Sequence, residues 1–347
     1  MRLLKLLLIL CVCAAGPAAA EPLEDAIAAA RKGDYATALH LFHPLADQGN
    51  AGAQYYLGIM YENGQGTPQD HTAAMSWLRK AAEQGFAAAQ YQLGVMYGEG
   101  RGVRQDYAVA MSWYGKAAEQ RDAKAQYNLG VMYDEGLGVP QDYTAAMSWY
   151  RKAAEQGHAK AQTNLGVMYE RGQGVPQDYA AAVSWYRKAA EQGHTGAQYN
   201  LGIMYQNGRG VPRDYAAAVS WYRKAAEQGL AVAQYNLGVT YGEGHGVPQD
   251  QAAAVSWHVK AAEQGYAKAQ NNLGMMYARG QGVPLDYVQA HKWFDLASSR
   301  YDGSEKQSRE SAVRNRDIVA AKMTPAQIAE AQKLAREWKP KPDGSRQ

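Results

Sequence analysis

Cysteine is nearly absent from this sequence, which has two in 347 residues, Cys11 and Cys13. Both lie in a segment typical of a secretory leader, with a basic start, an apolar run too short to span a bilayer, and small residues up to Ala20. We therefore expect residues 1–20 to be removed, and the protein to be exported to the periplasm or the exterior of a bacterial cell envelope without stable membrane insertion. The mature chain would then lack cysteine, which excludes disulfides, thiol nucleophiles and iron–sulfur centres.

An excess of either charge is also lacking, because 36 Lys and Arg face 33 Asp and Glu. This balance gives no general attraction to nucleic acid, so we expect no nucleic-acid partner. The hydrophobic share of 47% excludes a disordered chain. No motif of a serine hydrolase, β-lactam-binding enzyme, zinc protease or phosphate-binding loop follows the leader, and we predict no catalytic residue and no cofactor. His40, His43 and Asp47 could share a helix face, but a lone trio favours surface histidines over a metal site.

The sequence repeats itself with a constant step of 36 residues, and seven units occupy about residues 50–301. A Leu-Gly pair marks each first half, with its glycine at Gly58, Gly94, Gly130, Gly166, Gly202, Gly238 and Gly274. A tryptophan marks each second half, at Trp77, Trp113, Trp149, Trp185, Trp221, Trp257 and Trp293. Such periodicity predicts a stack of identical small units.

Each unit reads as two helices joined by a glycine-rich link. In the fourth unit the apolar residues recur at helical spacing over 159–169, and Gly172 supplies a left-handed helix end. Pro176 then forces extended backbone, and Asp178 is an N-cap for a second helix that runs to Gln192. The spacing therefore predicts an all-α solenoid of antiparallel helix pairs.

The second helix is predicted to pack through its tryptophan. Ala182 and Ala189 share a stripe with Trp185, so we expect the indole to fill the space that the alanines leave, with a cost of about 3–5 kcal/mol for Trp185→Ala. A serine precedes each of the first six tryptophans and is expected to be a small packing hydroxyl. These serines are Ser76, Ser112, Ser148, Ser184, Ser220 and Ser256.

The motifs of the unit resemble the Sel-one-like repeat family, which is related to the tetratricopeptide repeats. The resemblance lies in Ala-x-Ala-Gln-x-x-Leu-Gly-x-Met-Tyr, Gly-x-Gly-Val-Pro-x-Asp-Tyr and Ala-x-x-Trp-Tyr-x-Lys-Ala-Ala-Glu-Gln-Gly. It implies a right-handed superhelix and a scaffold that binds a protein or peptide partner. Secreted, cysteine-rich members are described as β-lactamases, which implies a cell-wall-related or penicillin-directed enzyme as the alternative. This chain lacks the paired cysteines of those members.

The two ends of the chain are predicted to close the stack. Residues 21–49 read as a shorter, tetratricopeptide-like helix pair, with helices over 23–32 and 35–48. Residues 302–338 read as capping helices, the last of them started by Thr324, Pro325 and Gln327. Residues 339–347 are expected to form a flexible tail.

The candidate binding surface is the concave groove that a superhelix presents. By the tetratricopeptide arrangement, the first helices line it, and the residue before Leu-Gly points into it. That position holds a column of carboxamides, preceded by a column of tyrosines, and a carboxamide can clamp a peptide group because it both donates and accepts. The candidate residues are Tyr91, Lys124, Tyr127, Asn128, Lys160, Asn164, Tyr199, Asn200, Tyr235, Asn236 and Asn272. Alternatively, the amides tie neighbouring helices together and the tyrosines are half-buried packing residues. The sequence predicts no oligomeric state.

Overall fold

The computed structural model describes residues 17–341, with side chains from Pro22 onward. Between those ends the regular secondary structure is all helical, and the chain divides into two compact units between Gln177 and Asp178. Unit 1 contains α1 Pro17–Lys32, α2 Tyr35–Asp47, α3 Ala51–Asn63, α4 His71–Glu83, α5 Ala87–Glu99, α6 Tyr107–Glu119, α7 Ala123–Glu135, α8 Tyr143–Glu155 and α9 Ala159–Arg171. Unit 2 contains α10 Tyr179–Glu191, α11 Thr195–Asn207, α12 Tyr215–Glu227, α13 Ala231–Glu243, α14 Gln251–Glu263, α15 Ala267–Arg279, α16 Tyr287–Arg300, a 3₁₀ turn Gly303–Glu305, α17 Lys306–Ala320 and α18 Pro325–Glu337.

Within each unit, consecutive helices from α1 to α9 and from α10 to α17 pack against each other, and α18 packs against α16. This confirms the predicted all-α solenoid of helix pairs. The caps explain why the helices begin and end where they do. The Asp178 carboxylate accepts a hydrogen bond from the backbone N–H of Ala181 at 2.9 Å, and Gly172 ends α9 with a φ of 69°. Each second helix of the seven repeats has such an aspartate, namely Asp70, Asp106, Asp142, Asp178, Asp214, Asp250 and Asp286.

The N-terminal pair is longer than its sequence pattern indicated. Helix α1 begins at Pro17, six residues before Leu23, because the alanines in between favour helix. The leader prediction therefore falls largely on residues 1–16, outside the described part of the chain.

The C-terminal segment closes the last repeat, as its capping motif indicated. The Thr324 and Gln327 side chains form the expected reciprocal capping box, and Ala331 and Ala335 are buried. The first residues of the predicted flexible tail are fixed, since the backbone N–H of Lys341 donates to the Glu263 carbonyl at 2.8 Å. Residues 342–347 lie outside the described part of the chain.

Tyrosine, not tryptophan, fills the space between the alanines, so the predicted role of the tryptophan was wrong. Trp185 is half-buried, whereas Tyr186 is fully buried. The helix period does not decide between them, because both residues lie three or four positions from Ala182 and Ala189. The contact with the preceding first helix decides it, since the equivalent tyrosines Tyr150 and Tyr222 pack against Gly130 and Gly202. Lysine side chains cover the tryptophan rings instead, with Lys188 Nζ 4.1 Å from the Trp185 ring centre.

The serines before the tryptophans are exposed, and the prediction that they are packing hydroxyls was also wrong. Each lies on the solvent side of its second helix, two residues before a buried residue that is Leu78 in the first repeat and aromatic in the other five. They therefore contribute nothing to the packing of the helices, and they offer exposed positions for control substitutions.

Candidate functional site

The predicted binding residues form one row of side chains in each unit, on the first helices of the repeats. We define the unit 1 row as Tyr91, Lys124, Tyr127, Asn128, Lys160 and Asn164. The unit 2 row is Tyr199, Asn200, Tyr235, Asn236 and Asn272, together with Lys268, which occupies the position of Lys160 three repeats on. The tyrosines and asparagines of both rows are half-buried, and the lysines are exposed. The asparagines thus reach the surface and are neither enclosed in the core nor fully solvated.

Four asparagines of the rows, Asn128, Asn164, Asn236 and Asn272, contact tyrosines of the preceding repeat. The Asn236 amide lies 3.5 Å from the Tyr199 hydroxyl, at the long limit of a hydrogen bond. Burial and the nearby Asp122 carboxylate raise the pKa of Tyr91, while a hydrogen bond with Asn128 lowers it. These amides therefore bridge neighbouring repeats and also keep part of their surface exposed, and their binding of a ligand stays a prediction.

The tyrosines of the rows lie against a second, buried aromatic layer. The ring centre of Tyr127 is 5.8 Å from that of Tyr150, and Tyr199 has the same separation from Tyr222. Burial raises the pKa of Tyr127, and the hydrogen bond with Asn164 lowers it. Because packing and hydrogen bonds already hold these rings, the tyrosine side chains lose little conformational entropy when a ligand binds them.

The lysines of the rows differ in their surroundings. Lys124 lies over the Tyr91 ring, with its Nζ 5.7 Å from the ring centre. Lys268 forms an ion pair with Glu305, its Nζ 3.0 Å from Oε1. Lys160 is exposed and has no carboxylate within ion-pair distance among residues 22–341.

A second column of carboxamides, which the sequence analysis did not single out, is buried and structural. Gln126 donates from Nε2 to the Ala118 carbonyl at 3.1 Å, and its Oε1 accepts a hydrogen bond from Gln156 at 2.8 Å. The same bond to the preceding helix pair recurs at Gln54, Gln90, Gln126, Gln162, Gln198, Gln234 and Gln270. The signal was present, since a glutamine follows each Ala-x-Ala and another recurs thirty residues later. These buried glutamines hold the repeats together, which leaves the asparagines as the amides available to a ligand.

One repeat of unit 2 departs from the buried aromatic layer. His258 occupies the position of Tyr222 one repeat on, is 3% exposed, and has no hydrogen-bond partner at Nδ1. Burial lowers the pKa of His258 to about 4. Its ring still supports a tyrosine of the row, with a distance of 5.6 Å to the Tyr235 ring centre.

We expect His258 to make unit 2 sensitive to acid. The unfolded chain binds a proton at about pH 6.5, whereas the folded chain does so only near pH 4, so stability is full above pH 6.5 and falls as the pH drops to about 4. The loss is on the order of 3 kcal/mol. Urea unfolding at pH 7 and pH 5 measures the part of this loss between pH 6.5 and pH 5, about 2 kcal/mol. His258→Tyr restores the recurring residue and should lose less stability between these pH values than the unmodified protein, while an equal loss in both would contradict the assignment.

Among residues 22–341, no group of three or more His, Cys, Asp or Glu side chains is arranged to hold a metal ion. Of the trio considered from the sequence, His43 instead contacts Trp77, with ring centres 6.2 Å apart. In the described part of the chain, no helix combines the length and apolar character needed to cross a bilayer.

Comparison with known proteins identifies the repeat. A family model described as the Sel1 repeat matches eight consecutive segments, 29–50, 51–86, 87–122, 123–158, 159–194, 195–230, 231–266 and 267–302. The seven full-length matches correspond to the units predicted over about 50–301. The short match, 29–50, falls in the helix pair predicted over 21–49 as a separate N-terminal unit.

One solved structure shows the same relationship, and a second is similar in sequence. A Sel1 repeat protein from Oxalobacter formigenes is 34% identical, with a TM-score of 0.63, over 69% of this chain and 96% of that one. Protein c5321, a protective antigen of uropathogenic Escherichia coli strains with an SLR fold, is 32% identical over 94% of this chain and 85% of that one, with a TM-score of 0.46. No curated protein matches the chain.

Proposed function

This chain belongs to the Sel1 repeat family, and from that premise we propose that it is an exported, non-catalytic scaffold that binds an extended segment of a partner protein along its rows. Sel1 repeat solenoids commonly serve as protein-interaction scaffolds. The observation that carries the proposal is the half-exposed asparagine beside a packed tyrosine, repeated from one first helix to the next.

The chemistry of the asparagines suits a peptide backbone. A carboxamide donates through its nitrogen and accepts through its oxygen, so one side chain can bond both polar groups of a peptide unit. Packed helices lie about 8–10 Å apart and an extended chain advances about 3.3 Å per residue. Successive asparagines of one row would therefore meet the guest at intervals of a few residues.

The tyrosines supply apolar contact area beside these polar groups. The rings of Tyr127 and Tyr199 are backed by buried tyrosines and present their remaining surface outward. Rigid aromatic side chains of this kind contribute contact area at a low entropic cost. The row thus offers backbone recognition with limited sequence specificity, which is what a scaffold for an extended segment requires.

The proposal of export rests on residues 1–20 alone, which have the charge and hydropathy pattern of a leader. The partner would then be an envelope or extracellular protein. The enzymatic alternative has no support among residues 22–341, where the exposed serines of the second helices lie away from the rows.

Replacing the asparagines of the rows should abolish partner capture without unfolding the protein. We expect a variant with Asn128, Asn164, Asn200 and Asn236 all changed to alanine to lose proteins that the unmodified chain retains from an envelope extract. Quantitative mass spectrometry of the retained proteins measures the loss, and circular dichroism checks that both remain helical.

A matched control carries the same number of alanines in the same four repeats, at Ser148, Ser184, Ser220 and Ser256 on the second helices. This control should retain the partner proteins. If the asparagine variant stays folded and captures the same proteins as the control, the rows are not the binding surface.

A further inference from the structure

The rows contain two copies of one cluster, three repeats apart. In unit 2 the copy consists of Tyr235, Tyr266, Lys268 and Asn272, and in unit 1 it consists of Tyr127, His158, Lys160 and Asn164. Each copy has its lysine at the second residue of a first helix, α15 or α9. In each, the residue before that helix packs a ring on the tyrosine, with centres 5.4 Å apart for Tyr266 and Tyr235 and 4.7 Å apart for His158 and Tyr127.

The unit 2 copy already binds a carboxylate. Glu305, at the end of the 3₁₀ turn, lies with Oε1 3.0 Å from Lys268 Nζ. Burial raises the pKa of Tyr266 to about 12, and the Glu305 carboxylate contributes to the same shift, so the carboxylate lies near this tyrosine as well as the lysine. The turn is fixed by the Asp302 side chain, which accepts from the backbone N–H groups of Ser304 and Glu305 at 2.8 and 3.1 Å.

The unit 1 copy has the same cation without the carboxylate. Lys160 is exposed, and no acidic side chain among residues 22–341 pairs with it. Its position does not help the helix, because a positive charge in the first turn opposes the helix dipole. The N-terminal end of α9 and the lysine together create a positive potential beside Tyr127.

The first helices differ in the charged residues that they carry near their beginnings and ends. Lys124 and Lys160 lie in the first turns of α7 and α9, whereas Glu99 and Glu135 are the last residues of α5 and α7. The first turn of α9 is basic, with Lys160 and no acidic residue, whereas the Asp122 N-cap of α7 offsets Lys124 and Arg171 follows Glu170 at the end of α9. A guest residue that meets the first turn of α9 gains from being acidic.

We propose that the unit 1 copy binds a glutamate or aspartate side chain of the guest segment, as the unit 2 copy binds Glu305 of its own chain. This inference rests on the proposed function and names the class of guest, an extended acidic peptide. In unit 2 the 3₁₀ turn supplies the Glu305 carboxylate, which pairs with Lys268 and so prevents a guest carboxylate from binding there.

The test uses two blocked, fluorescently labelled octapeptides, one alternating Ser and Glu and the other alternating Ser and Gln, with the full chain. Fluorescence anisotropy should show the Glu peptide binding about fivefold more tightly, which is the effect of one partly exposed ion pair, and the preference should shrink as salt is added. Lys160→Gln should remove the preference. Lys152→Gln makes the same charge change on α8, over the Trp149 ring, and should keep it.

Glu305→Gln provides an independent arm because it frees Lys268. We expect the stoichiometry of the Glu peptide to rise from one to two per chain. Equal binding of both peptides, equal effects of Lys160→Gln and Lys152→Gln, or an unchanged stoichiometry would each overturn the inference.

If both peptides bind equally but lose binding in the four-asparagine variant, the scaffold function stands and only the acidic preference fails. If the four-asparagine variant binds both peptides normally, the proposed function fails.

Discussion

Replacing Tyr150 with alanine is expected to lower the free energy of unfolding of unit 1 by about 3–5 kcal/mol, as for other large buried aromatic side chains. Tyr150 is 1% exposed and its ring packs against the backbone of α7 at Gly130. Its hydroxyl donates to the Asp134 carboxylate at 3.1 Å. The substitution leaves a cavity and removes the support of Tyr127. Urea unfolding followed by circular dichroism measures the loss, which should fall mainly on this repeat and its neighbours.

Two variants separate the ring from its hydroxyl and from the neighbouring indole. Tyr150→Phe should cost about 1 kcal/mol, because it removes one hydrogen bond and keeps the ring. Trp149→Ala should cost about 1–2 kcal/mol, because the indole is only half-buried. A larger loss of unfolding free energy for Trp149→Ala than for Tyr150→Ala would show that tryptophan, and not tyrosine, is the main packing residue.

Gly130→Ala is expected to destabilise unit 1 by about 1–3 kcal/mol, although alanine is the better helix former. A Cβ at position 130 would lie 2.6 Å from Tyr150 Cε1 and closer still to Cδ1, which no packed interior accommodates. Steric overlap with a fixed ring therefore outweighs the gain of about 1 kcal/mol in helix propensity. The free energy of unfolding from urea titration gives the sign directly.

The chain offers a matched control for this glycine. Gly115 lies in α6 with no atom within 4 Å of a built Cβ, so Gly115→Ala should stabilise the unit by about 0.5–1 kcal/mol. In the Tyr150→Ala background, Gly130→Ala should no longer destabilise, because the ring is gone. Independent, additive effects of the two substitutions would show that the close approach of helix and ring is not the cause.

The periodic features of the fold could be predicted from the sequence, because each rests on local chemistry. Asp178 caps α10 and Gly172 ends α9 through interactions within a few residues of the chain. The prediction that Trp185, and not Tyr186, lies in the core was wrong because local chemistry does not fix which face of a helix is enclosed. The two residues are adjacent, and only the way in which neighbouring helices meet decides which face is enclosed.

The candidate surface could be located only in part. The columns of asparagine and tyrosine were visible, and their half-exposed position agrees with a surface role. The buried glutamines were equally periodic, yet periodicity alone does not tell an amide that bonds a carbonyl from one that faces solvent. The contact between Lys268 and Glu305 joins a repeat to a turn outside the repeats, so no internal pattern could predict it.

The most direct measurement of the central claim is photo-crosslinking in the native envelope with benzoylphenylalanine at position 127 or 148. Tyr127 belongs to the unit 1 row, and Ser148 is exposed on the second helix of the same repeat. The account predicts adducts from position 127 that map to one extended segment of a partner protein, and none from position 148. Adducts that form equally at both positions, or only at position 148, would contradict it.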